Sequence, residues 1–134
     1  MQLPDVEHMS SAEKNWFASS IAGMIVSDGR ADQTELEFLK EAINFLDKKE
    51  EISQIMAIVK NGIPPVLSPL EIDSKQAFLM LKYLAQLMVA DSDLSSKEIE
   101  YFLITGRFLG FSDEILAKFW KSARSLLKET CLRE

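Results

Sequence analysis

Two short acidic segments hold the residues in this chain whose types and spacing could do chemistry. Asp28, Asp32 and Glu35 lie in the first, and Asp91, Asp93 and Glu98 in the second. Asp28 and Asp91 are 63 residues apart, and so are Glu35 and Glu98. Hard divalent cations such as Ca²⁺ or Mg²⁺ take several oxygen ligands, which carboxylates on a tight bend can supply. Asp91-Ser92-Asp93 opens like an EF-hand loop, but its twelfth position is Phe102 and no glycine stands at the sixth, so it is not one. A plainer reading competes with metal binding. Asp32 with Glu35, and Ser95 with Glu98, have the spacing of helix capping boxes. Asp28 and Asp91 are short acids that can accept amides of their own turns. On that reading the carboxylates close backbone hydrogen bonds and no cofactor is needed. Acid–base catalysis of hydrolase type by the paired carboxylates is a further alternative, although nothing in the sequence specifies a substrate pocket for it.

Other chemistries lack their residues. His8 and Cys131 are the only histidine and cysteine, too few for a zinc tetrad of such ligands and for an internal disulfide. No phosphate-binding loop, dinucleotide fingerprint or nucleophile elbow occurs. The chain is read as non-enzymatic. Its net charge of −6 argues against nucleic acid and favours a basic protein partner. The reduced lone cysteine, the absence of a leader-like start and the lack of a long apolar run point to a cytoplasmic protein without membrane insertion.

The elements that must position these acids read as helices throughout. Ser10 with Glu13 opens the first, with Phe17, Ile21, Met24 and Ile25 as its apolar face, and it stops near Ser27. The second begins at Asp32, with Leu36, Leu39, Ile43 and Leu46 inward. The third spans roughly 49–61, ending at Gly62. Residues 62–68 form a proline-rich connector whose apolar Ile63–Leu67 stretch is compatible with a homodimer contact. Ser68-Pro69-Leu70-Glu71 has the pattern of a helix start, followed by the stripe Phe78, Leu81, Leu84, Ala85, Met88 and Val89. The fifth helix runs from Ser95 to Leu109 with Gly110 as its stop. Ser112 caps a sixth, whose inward face begins Ile115, Leu116, Phe119, Trp120. Residues 1–9 read as a short arm. No segment alternates with period two, so no strand is expected.

A gapless shift of 63 aligns residues 21–46 with 84–109. Ala22/Ala85, Val26/Val89, Asp28/Asp91, Glu35/Glu98, Glu37/Glu100, Phe45/Phe108 and Leu46/Leu109 are identical pairs. A helical hairpin cannot bury its apolar face alone, and two copies can bury each other's. The expected fold is therefore all-α: one domain over 1–134, a compact bundle of six to seven helices. A pseudo-twofold duplication relates its halves, with the first and second helices pairing against the fourth and fifth.

The segments from Ile25 to Glu35 and from Val89 to Glu98 share a pattern: an apolar helix end, Asp-Gly or Asp-Ser, a few cap residues, then Glu. In this the chain resembles the TerB-like family, named for bacterial tellurite-resistance proteins and also found in a J-domain co-chaperone. The resemblance covers roughly residues 12–125. It implies an all-helical stress-response scaffold or protein-interaction module, metal-associated and without established enzymatic activity. The first segment matches at Asp28, Gly29 and Glu35. The second matches at Asp91 and Glu98 but carries Ser92 in place of the usual glycine.

Overall fold

A computed structural model describes residues 4–27, 32–90, 96–119 and 121, with the side chains at 89 and 90 left aside. The chain is an all-α bundle. A 3₁₀ turn at Val6–His8 leads into α1 (Ser11–Val26), α2 (Gln33–Ala42), α3 (Lys49–Lys60), α4 (Ser74–Ala90) and α5 (Ser96–Phe108). Residues 113–119 are helical again and are labelled α6. No strand occurs among the described residues, and none of their helices is long and apolar enough to cross a membrane.

Most of the local start and stop signals act as expected. Ser10 and Glu13 form a reciprocal capping box, in which Glu13 N donates to Ser10 Oγ and Ser10 N to Glu13 Oε1. Gly62 and Gly110 have φ of 72° and 94°, the left-handed values that end α3 and α5 and that glycine adopts without a Cβ clash. Ser112 Oγ accepts from Ile115 N at the start of α6.

The role of α1 departs from the expectation of one apolar face. Trp16, Phe17, Ala18, Ser20, Ile21, Ala22, Gly23, Met24 and Val26 are all buried, so every side of the helix is covered. A helix apolar all round belongs inside a bundle, and the run from Asn15 to Ser27 carries no charge. Accordingly α1 packs against α2, α3, α4 and α5. Phe17 sits at the centre, stacked on Phe45 at 5.7 Å between ring centroids and edge-on to Tyr83 at 5.6 Å.

Burial follows the 63-residue register. Phe17/Met80, Ala18/Leu81, Ser20/Tyr83, Ile21/Leu84, Ala22/Ala85, Leu39/Phe102 and Leu46/Leu109 are buried in both copies. The pairing of helices is nonetheless unequal. α1 packs on α5, while α2 makes no comparable contact with α4 among the described residues. One pair of positions accounts for this. A Cβ built on Gly23 would come within 1.9 Å of Tyr101 Cζ, so α5 lays its tyrosine directly on α1 there. The counterpart of Gly23 is Gln86 and that of Tyr101 is Phe38. The longer side chain at Gln86 removes the opening, and Phe38 is 41% exposed.

Two further expectations need correction. The Ser68 start of α4 does not form. Residues 63–73 have no regular structure, and the helix begins at Ser74 behind Asp73, whose Oδ2 accepts from Lys75 N and Gln76 N. The backbone that would have made the earlier turn is held elsewhere. Trp16 Nε1 donates to Ser68 O at 2.6 Å, Tyr101 OH to Pro65 O at 3.2 Å, and Leu70 N to Phe108 O at 3.0 Å. Residues 63–73 thus form a strap across the bundle, with Val66 97% exposed. Phe78, expected in the buried stripe of α4, is 47% exposed and meets Phe119 of α6 edge-on at 5.4 Å.

Candidate functional site

The acidic segments follow α1 and α4, the two helices that pack together at the core of the bundle. Asp28, Asp91 and Asp93, with Ser95, lie outside the described residues. Asp32, Glu35 and Glu98 lie within them.

Asp32 is the N-cap of α2. Its Oδ1 accepts from Glu35 N at 2.8 Å, and Glu35 Oε1 accepts from Asp32 N at 3.3 Å. Both halves of a capping box are therefore made. A cation seated on Asp32 and Glu35 would compete with these two amides for the same oxygens. Replacing them would leave first-turn N–H groups to find water. Glu98 occupies the equivalent place in the first turn of α5 and is buried, at 6% exposure, whereas Glu35 is only half-buried. The positive end of a helix dipole suits a carboxylate at this position. Neither Glu35 nor Glu98 is a free carboxylate. The two copies of the segment therefore share a position in the fold while differing in solvent access. Among the described residues no three His, Cys, Asp or Glu side chains converge as a metal site requires.

A second place with polar side chains was not foreseen in the sequence. The segment read as a short arm is docked from Pro4 onward: Pro4 and Met9 are buried, and the Gln76 side chain brackets the backbone of Asp5. Asp5 N donates to Gln76 Oε1 and Gln76 Nε2 to Asp5 O. His8 Nδ1 pairs with Asp5 Oδ2 at 2.5 Å on the surface. Beside this pair runs a groove of about 640 Å³, with Met9, Glu13, Ile72, Lys75 and Leu79 among its lining. The only advance signal was a histidine three residues after an aspartate, and that spacing gives no hint of the α4 partner 71 residues away.

Burial shifts two groups elsewhere. Loss of solvent around Tyr101, and to a lesser extent around Tyr83, holds each phenol protonated above its ordinary range. Both serve packing: Tyr101 fills the opening over Gly23 and ties down the strap, and Tyr83 abuts Phe17.

No family model, curated protein or solved structure matches this chain.

Proposed function

We propose that this chain is a non-enzymatic, TerB-like protein-interaction or scaffold module of a stress response, and that its two acid-bearing bends are where a basic partner docks. The observation that carries the reading is the register of the two halves. Positions 63 residues apart share burial from Phe17/Met80 to Leu46/Leu109. The acidic segments therefore follow equivalent helices of a repeated unit. The net charge of −6 favours a cationic partner for such a surface. The capping bonds of Asp32 and Glu35 favour this reading over a dedicated Ca²⁺ or Mg²⁺ site, because two candidate ligands already serve the backbone.

The test pairs crosslinking of a cellular partner with calcium calorimetry, on the native chain and on an Asp28→Asn/Asp91→Asn variant whose helicity is checked by circular dichroism. The expected result is a basic partner lost in the folded double variant, with no calcium heat from either protein. A calcium heat abolished by the double variant would replace this reading with cation binding. Partner capture unaffected by the double variant would move the docking surface away from the bends.

A further inference from the structure

The C-terminal turn of α3 carries a reactive pair that the reading above does not use. Asn61 is followed by Gly62, the dipeptide in which a side-chain amide is most open to attack by the next backbone nitrogen, because glycine has no Cβ to obstruct the approach. In that reaction the Gly62 nitrogen loses its proton to solvent base and bonds to Asn61 Cγ. Nδ2 takes a proton from the solvent acid so formed, the Cγ–Nδ2 bond breaks and ammonia leaves. The five-membered imide then takes up water and opens at either carbonyl, giving aspartate or isoaspartate.

Three features of the structure hold the pair apart. Closing the ring requires the Gly62 nitrogen to eclipse Cβ of Asn61, a ψ of about −120° for an L-residue, whereas Asn61 has ψ 4°. The nucleophile is engaged, since Gly62 N donates to Val59 O at 2.9 Å. The side-chain amide is engaged as well, since its leaving nitrogen, Asn61 Nδ2, donates to Ala57 O at 3.1 Å, which folds the side chain back along the helix. Asn61 is exposed, so water reaches it.

We infer that Asn61 is a latent site of self-modification, kept shut by the last turn of α3 and converted to aspartate or isoaspartate whenever that turn opens. Conversion is one-way. It removes the amide donor to Ala57 O and places a negative charge at the negative end of the helix dipole, so the turn does not close as before.

The experiment follows conversion at Asn61 in the full chain in mildly alkaline buffer, folded and in an unfolding concentration of guanidinium chloride. Isoaspartate content and mass are read on fragment 52–71, released after Glu51 and Glu71. Asn15 and Asn44, followed by Trp16 and Phe45, are internal controls. The unfolded chain should convert at Asn61 well ahead of the controls, and the folded chain about ten-fold or more slowly, the ratio expected for a modest local opening free energy. Within the folded range, low guanidinium should raise the rate in step with hydrogen exchange at the Gly62 amide. Val59→Ala, which loosens the anchor of that turn, should raise it too. If that variant does not fold, the low-guanidinium series on the native chain carries the same test. Equal rates in folded and unfolded chains would overturn the gating, and so would a folded-state rate independent of Gly62 exchange. An unfolded chain converting no faster at Asn61 than at the controls would overturn the site itself.

Discussion

Gly23→Ala should destabilise this protein, although the same change in the middle of most helices does the opposite. A central glycine gives up about 0.5–1 kcal/mol relative to alanine through backbone entropy, so propensity alone predicts a gain. The contact with Tyr101 reverses the sign. The new methyl would lie 1.9 Å from both Cζ and Oη of Tyr101, whereas non-bonded carbon atoms rest at about 3.5–4 Å. The ring must therefore retreat by about 2 Å in a packed interior, and overpacking of that kind costs roughly 1–3 kcal/mol. The retreat also breaks the bond from Tyr101 OH to Pro65 O, worth about 1 kcal/mol net. The balance is a loss of about 1–3 kcal/mol and a Tm lower by several degrees. A double-mutant cycle in urea isolates the cause. In a Tyr101→Ala background the opening is empty, so Gly23→Ala should become stabilising by about 0.5–1 kcal/mol. If Gly23→Ala stabilises both backgrounds equally, α5 does not rest on α1 at this point, and the explanation given for the unequal halves fails.

Other outcomes follow from the same contacts. Asp32→Ala should cost about 1 kcal/mol by urea midpoint, while Asp32→Asn, an equally good cap, stays within a few tenths; equal losses would mean that the charge, rather than the capping oxygen, matters. Trp16→Phe leaves Ser68 O without its donor and should cost about 1–2 kcal/mol, with limited proteolysis at the strap faster than in the native chain. Burial holds Tyr83 and Tyr101 protonated above the ordinary tyrosine value of 10.0. In the unfolded chain these phenols ionise near that value, so the stability they confer is full below it and falls as pH rises beyond it. A spectrophotometric titration should therefore show phenolate appearing together with loss of helicity. Free titration of both tyrosines in a still-helical protein would contradict their burial.

Features decided within four residues were the legible part of the fold. Ser10 and Glu13, Asp32 and Glu35, Gly62 and Gly110 set their helix ends through neighbours along the chain, and each acts as its spacing predicted. Ser68-Pro69-Leu70-Glu71 carries an equally good local signal and fails, because Trp16 and Phe108 claim its backbone from 52 and 38 residues away. Phe78 keeps the helical spacing of a core residue and still ends up outward, paired with Phe119. The centrality of α1 was present in the sequence as an uncharged stretch, but a search for one apolar face does not reveal it. For the candidate site, the capping geometry at Asp32 and Glu35 was readable, and the burial of Glu98 was not. Nothing local distinguishes Glu98 from Glu35, and the difference arises from how the second copy packs.

The strap at 63–73 is hydrogen-bonded to the bundle through its main chain, at the carbonyls of Pro65 and Ser68 and the amide of Leu70, while Leu67, Leu70 and Ile72 pack against the core. Side-chain identity is therefore close to neutral for the fold only at its outward positions, most of all at Val66, which points into solvent. Those outward positions are free to drift or to acquire new recognition features, provided that Trp16 and Tyr101 persist. In descendants of this chain, constancy should collect at those two donors and at the core-packed Leu67, Leu70 and Ile72, and variety at the outward positions of the peptide they grip.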